Sequence, residues 1–329
     1  MLNPMKWISR EHESEVRGNL KPMPTTGQRK RVGLLAGGGR FPVLFAEGAR
    51  QRGYEVVCVA IDGHADPVLA ESVDAFFWNG VARLGSMIRR FKREGIDCVV
   101  MAGKIQKKAM FDRWRLFRHL PDWRFAKVFL SSQKKDNRDD SLLLALIEEF
   151  ERDGIHIASA LDIVPELLAK AGCLTRRAPS PHEQADIVFG WMLAKELGRL
   201  DMGQSVVVRE RAILALEAIE GTDKAIERAG QLCPAGRFTV VKVAKPKQDM
   251  RFDVPTIGRS TVETIAKAGG TCLAIETGKT IVVDEQETIA LADKLGISIV
   301  SLTAEQAGST HRAWSADDHA ERREQRRPA

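Results

Sequence analysis

No run of apolar residues approaches the ~20 needed to cross a bilayer as a helix, so the sequence offers no membrane-spanning helix. The opening stretch, MLNPMKWISREHESEVRGNLKPMPTTGQRKR, lacks the continuous apolar core of a secretion signal. Residues 1–30 are therefore expected to be a disordered tail, as are residues 304–329, where acids and bases nearly balance. The five cysteines include no CxxC pair, and Cys58, Cys98 and Cys272 sit inside apolar runs, where a thiol behaves as a small hydrophobe. That argues against a zinc site and for a reducing, cytoplasmic setting. His64, His119, His156 and His182 show no metal-ligand spacing, and no internal repeat is present.

The 329 residues, 44% of them hydrophobic, suit two cores better than one. The net charge is +6, yet Lys104–Lys127 alone holds eight Lys or Arg against Asp112 and Asp122, so the remainder sums to zero. This is one local basic surface rather than a nucleic-acid-binding protein.

From Arg31 onward, short apolar runs alternate with amphipathic stretches. RVGLLAGGG, EVVCVAIDG, DAFFWNG, DCVVMAGK and IHIASAL read as buried strands separated by helices, which predicts a parallel sheet covered on both faces. The texture changes at Gly172–Pro181, read as a linker between a Rossmann-like domain (31–171) and a smaller α/β domain (182–303) with a mixed sheet. In the second domain, hairpins are expected at QSVVVRERAILALEA and TCLAIETGKTIVVD. The cleft between the domains is the default site.

GLLAGGGRFP follows a strand and opens a helix, where a dinucleotide fingerprint would sit, but Pro42 stands where the third glycine is required. An NAD-dependent oxidoreductase is thus one reading, with Asp62 meeting a ribose hydroxyl. The broader reading is that Gly37, Gly38 and Gly39 let backbone N–H groups approach a phosphate at a helix N-terminus; a plain tight turn competes with it. Gly103 and Lys104 end another parallel strand, so they are expected on the same sheet edge, with Lys104 as a phosphate or nucleobase contact or simply a solvated lysine. ETGKT lacks the leading glycine of a phosphate-binding loop, since Leu273 occupies that place.

The second half supplies the acids. EAIEGTDKAIE places Glu217, Glu220 and Asp223 around Gly221, with Thr222 a natural N-cap. In QDMRFDVPTIG, Pro255 holds Val254 extended and so stiffens the presentation of Asp253. Ser260 and Glu263 form a capping-box pattern, so the helix seven residues on does not need Asp253. Lys245, Lys247, Gln248 and Arg251 surround this acid with phosphate-compatible groups, which suits a metal-bridged phosphate; a structural salt bridge is the alternative.

GLLAGGG, DDSLL, DMGQSVVV, EAIEGTD and DVPTIG, in this order, resemble the UDP-2,3-diacylglucosamine pyrophosphatases of the LpxI type over nearly all of Arg31–Leu302. The resemblance implies an Mg²⁺-dependent hydrolase of lipid A synthesis, releasing UMP and 2,3-diacylglucosamine 1-phosphate, with Asp253 linked to catalysis. Lys245 is expected beside it as a catalytic cation. Asp253, Glu220 and Asp223 are expected as metal ligands. Gly37, Gly38, Gly39, Gly103, Lys104, Asp140, Gln204, Thr222, Arg251, Thr256 and Gly258 are expected to bind substrate. The basic aromatic stretch AMFDRWRLFRHLPDWRFAKVF suits acyl chains or an anionic inner-membrane surface, and equally a helix with its aromatic face in the core. Peripheral attachment and a homodimer are left open, as is a non-catalytic nucleotide-binding module.

Overall fold

The computed structural model describes residues 30–105, 121–133 and 139–307. Five strands, β1 (Arg31–Ala36), β2 (Glu55–Ile61), β3 (Ala75–Asn79), β4 (Cys98–Ala102) and β5 (His156–Ala158), form an all-parallel sheet in the order β3-β2-β1-β4-β5. Their continuous apolar runs are buried because both faces are covered. On one face α1 (Phe41–Gln51) contributes Val43, Phe45 and Ala49. On the other, α2 (Leu84–Arg93), α3 (Trp123–Gln133) and α4 (Asp139–Arg152) contribute Phe91, Phe125 and Phe150. A short turn of helix, α5 (Ala160–Ile163), capped by Ser159, closes this half.

The chain enters the second core earlier than the sequence reading placed it. Ala169 donates to Thr280 O at 2.9 Å and packs with the second domain's apolar residues. The expected linker is also an ordered part of that domain: β6 (Gly172–Cys173) pairs antiparallel with β13 (Ser298–Leu302). Helix α6 (Pro181–Arg199) begins with Ser180 and Glu183 in a reciprocal capping box. Glu183 accepts from both Arg177 guanidinium nitrogens at 2.7 and 2.9 Å and from the Thr271 hydroxyl at 2.6 Å, which clamps the connection onto the sheet.

The remaining strands are β7 (Ser205–Arg209), β8 (Ala212–Leu216), β9 (Thr239–Lys242), β10 (Thr256–Ile257), β11 (Cys272–Glu276) and β12 (Ile281–Val282). The mixed sheet runs β6-β13-β11-β9-β7-β8, parallel in its centre and antiparallel at its edges. Helices α7 (Thr222–Leu232), α8 (Arg259–Ala268) and α9 (Glu285–Leu295) pack on one face and α6 on the other. The β7–β8 hairpin forms as expected. Glu210 and Arg211 both take positive φ there, and the buried Asp186 carboxylate accepts from their N–H groups at 3.0 and 2.6 Å.

The second expected hairpin does not form. β11 lies between β9 and β13, whereas β12 pairs in parallel with β10 in a separate two-stranded sheet. Glu276, at the end of β11, is held by Lys195 and by the Ala244 N–H, and the chain turns away through Gly278. Two caps also differ. Gly221 and Gly258 are the N-caps of α7 and α8, so neither Thr222 nor Ser260 caps its helix through its side chain. Residues 304–307, assigned to the tail, form a helical turn with Ala307 buried; residues 1–29 and 308–329 lie outside the described residues.

Burial alone would raise the Glu183 pKa, but the hydrogen bonds from Arg177, Thr271 and Ser180 hold it down at about 2. A carboxylate with a depressed folded pKa stabilises the protein above its unfolded pKa and loses that contribution as pH falls through the folded value. Glu183→Gln should therefore be less stable than wild type by about 2 kcal/mol at pH 7 after allowance for solvent screening. In urea unfolding the gap should narrow as pH falls from 4.5 towards 2.

Candidate active site

Chain order in the first sheet reverses between β1 and β4, and open α/β sheets bind ligands outside the strand C-termini at such a point. The loops after these two strands are tied together: Gly37 N donates to Ala102 O at 2.8 Å, and Gly38 and Lys104 exchange N–H···O bonds of 2.8 Å each. The expected juxtaposition of Lys104 with the glycine turn is thus present. Gly103 takes φ +92°, and a Cβ there would stand 2.7 Å from Gly38 O and 2.9 Å from the Pro42 ring. The triplet's glycines are not equivalent. Cβ atoms on Gly37 and Gly38 would press to 2.9 Å on Lys104 O and His64 O, while Gly39 faces open space.

In the second domain, β9 ends in Lys242, 7% exposed among the valines of its strand. Its ammonium donates to Thr222 Oγ1 at 3.3 Å and to Thr256 O at 3.1 Å. Thr222 in turn donates to Glu217 Oε1 at 2.9 Å and lies 3.2 Å from Ser205 Oγ. Because Gly221 caps α7 with φ +83°, the Thr222 hydroxyl is available for this network. Burial lowers the Lys242 pKa, aided by the like charge of Lys104, while Glu217, Asp223 and Asp253 act to raise it. A first-domain loop and three second-domain acids therefore share the field of one buried ammonium.

Asp253 is carried by the crossing between β9 and β10, and this segment is docked on the first domain. Ser159 Oγ donates to Met250 O at 2.8 Å, Arg251 lies 3.7 Å from Glu151, and Phe252 packs against the core formed by α2, α3 and α4. Gln248 fixes the acid: its Oε1 accepts from Lys245 N at 2.8 Å, and its Nε2 donates to Asp253 Oδ2 at 2.8 Å and to Gln204 Oε1 at 3.3 Å. Gln204 N lies 3.4 Å from Glu217 Oε2, which joins this chain to the Lys242 network. Asp253, Gln204, Thr222 and Thr256 thus belong to one polar seam, with Lys104 at its first-domain border.

Other expected residues stand differently. Lys245 pairs with Asp201 at 2.8 Å, and Arg251 is held by Asp249 at 2.7 Å, so both cations already face carboxylates. Gly258 is extended at the start of α8 beside Val283. Asp140 lies in the first turn of α4, and its side chain is outside the described residues. Glu220, expected as a metal ligand, is bound to Arg228 at 2.6 Å. Among the described residues, no three His, Cys, Asp or Glu side chains group as a metal cage. Asp253 and Asp223, both felt by Lys242, fit the more open arrangement in which Mg²⁺ takes one or two protein carboxylates and completes its shell from phosphate and water.

Sequence reasoning passed over Lys242, whose only signal was a lone charge inside FTVVKVAK, and gave Gln248 no specific role. A hollow of about 540 Å³ lies instead between Arg176, Arg177 and α9 and contains none of the expected site residues. Arg177 is consumed by Glu183, and Arg176 stands 3.6 Å from Asp293. Of the basic aromatic stretch, residues 106–120 lie outside the described residues; Phe125 is buried and Trp123 is 84% exposed.

These features define a two-domain α/β protein with a Rossmann-type strand edge facing a carboxylate-bearing seam. Residues 31–167 match the family model described as the LpxI N-terminal domain, and residues 170–300 match the LpxI C-terminal domain. Over 285 residues the chain is 34% identical to the UDP-2,3-diacylglucosamine pyrophosphatase LpxI of Caulobacter vibrioides, covering 84% of this chain and 99% of that protein. The chain belongs to the LpxI family. Among solved structures it is similar to CobK precorrin-6A reductase at 14% identity, covering 83% and 88% of the two chains with a TM-score of 0.30, a likeness too slight to bear on fold or function.

Gly103→Ala would combine left-handed backbone strain with a clash against the Gly38 carbonyl. It should cost about 2–4 kcal/mol, seen as a lowered Tm by calorimetry, with weaker binding of UDP by the remaining folded protein.

Proposed function

We propose that this protein hydrolyses the pyrophosphate bond of UDP-2,3-diacylglucosamine, giving UMP and 2,3-diacylglucosamine 1-phosphate for lipid A synthesis. The carrying observation is that the Asp253 segment, built by the second domain, is seated on the first, so that its carboxylate and the Lys104 loop share the neighbourhood of Lys242. The relative at 34% identity bears the name of this activity. The NAD-dependent alternative gains nothing from the structure, because Pro42 occupies the first turn of α1 where the fingerprint needs glycine.

In this reading the nucleotide lies along the edge made by Gly37–Gly39 and Gly103, whose backbone groups suit close approach by phosphate oxygens. Asp253 and Asp223 would hold Mg²⁺ against the diphosphate. When bound there, Mg²⁺ supplies charge neutralisation of the phosphate oxygens and a more acidic water. Gln248 donates to Asp253 Oδ2 at 2.8 Å, which orients the carboxylate before substrate arrives. Thr222 and Asp223 open α7, so N–H groups of its first turn favour negative charge at the same place. Lys245 and Arg251 act by orienting Asp201 and Asp249 unless substrate displaces those partners.

No described helix is long and apolar enough to cross a membrane. The acyl chains of the substrate make a cytoplasmic protein working at the inner-membrane face the natural setting, with exposed Trp123 and Leu130 as described apolar members of that surface. Flotation with anionic vesicles tests the attachment, and sedimentation tests the homodimer.

Incubation with UDP-2,3-diacylglucosamine should yield UMP by mass analysis, and EDTA should abolish it. Asp253→Asn should fold and bind UDP normally while losing turnover by at least about 100-fold. A variant that turns over like wild type removes Asp253 from the chemistry.

A further inference from the structure

Among the cations of the seam, Lys242 has an unusual balance. Lys245 and Arg251 face carboxylates at 2.8 and 2.7 Å, whereas Lys242 is buried to 7% exposure and makes no ion pair with any described carboxylate. Its ammonium is held by two neutral oxygens, the Thr222 hydroxyl and the Thr256 carbonyl. Glu217, Asp223 and Asp253 act on it only from beyond ion-pair distance. Burying a charge without a contacting counter-ion is costly, and such groups persist where a ligand completes them.

The place of this ammonium says what that ligand is. It ends β9 at the C-terminal edge of the parallel part of the second sheet, beside the first turn of α7, and it feels Lys104 from the opposite domain. A buried lysine of one domain, a lysine of the other and a helix N-terminus border one polar seam and suit phosphate oxygens; the acids Asp223 and Asp253 beside them suit the divalent cation that accompanies a diphosphate.

We propose that Lys242 is the fixed cation of the diphosphate subsite: its buried ammonium contacts a phosphate oxygen of the substrate, and Thr222 and Thr256 aim it. This deepens the function proposed above and rests on it for the identity of the whole substrate. The diphosphate itself can be tested separately. Lys242 is the counter-charge that the pairing of Lys245 and Arg251 leaves unprovided, and its burial lets it act with little screening.

The test uses the full chain with inorganic pyrophosphate, UDP and uridine as probes in calorimetric titrations, together with Tm. Lys242→Met should weaken pyrophosphate and UDP binding roughly 10- to 100-fold, leave uridine binding unchanged, and give a Tm no lower than wild type, because an apolar side chain of similar shape relieves a buried charge. Lys242→Gln, which can donate to Thr222 and Thr256 without a charge, should lose the same affinity. Unchanged pyrophosphate affinity in Lys242→Met, full affinity in Lys242→Gln, or a lowered Tm in Lys242→Met overturns the assignment. Wild-type protein that binds pyrophosphate but releases no UMP from UDP-2,3-diacylglucosamine would sink the proposed function and leave Lys242 in place. Wild-type protein that binds neither anion would sink both.

Discussion

Phe252 is made by one domain and packed in the other. It sits against the apolar layer of α2, α3 and α4, with Met250 O bonded to Ser159 on one side and Asp253 following directly on the other. The Asp253 carboxylate is therefore not positioned by the domain that encodes it alone. Phe252 is partly buried, and even part of the ~2–3 kcal/mol of a fully buried aromatic ring outweighs the exposed Arg40–Asp284 contact that also joins the domains, since surface ion pairs contribute little. The glycine edge, the α7 terminus and the carboxylates meet because this segment is seated where it is.

Within the seam, charge is divided between groups that are already balanced and one that is not. Lys195 and Glu276 form a buried pair completed by Ala244 N–H and Lys279, and this fixes the end of β11 where the chain leaves β9. Arg251 with Asp249 and Lys245 with Asp201 shape the crossing segment. Lys242 alone among these is held by neutral oxygens rather than by a contacting carboxylate. Cations that face carboxylates and one that does not thus stand a few residues apart along the same segment.

Much of the fold was legible because its strands are continuous apolar runs, which periodicity reads well. The parallel first sheet, the β7–β8 hairpin and the meeting of Gly37–Gly39 with Lys104 were all readable in this way. What escaped was long-range pairing. TCLAIETGKTIVVD has the local pattern of a hairpin, but nothing local shows that Ile281 and Val282 find Thr256 and Ile257 instead. The caps failed for a related reason. Ser260–Glu263 has the right letters, yet the turn from β10 already starts the helix at Arg259. Glu220 stands among the acids of EAIEGTD in sequence, while its partner in the fold, Arg228, lies two helical turns on in α7. Lys242 was hidden by the opposite effect, since one lysine in a valine strand looks like an edge position until the sheet shows β9 between β7 and β11.

The seating of Phe252 also bears on how such a protein can diverge. Two sequence-recognisable halves meet near residues 167–170, which suggests modules that could be traded between relatives. Yet the second half carries an aromatic plug whose socket is written in the first, so a hybrid of two distant relatives would join intact folds around a misfitted plug and a displaced acid. Phe252 and the cluster it packs on, Phe91, Phe125 and Phe150 among its members, lie in different halves of the chain, so a change on either side of that contact alters the fit of the other.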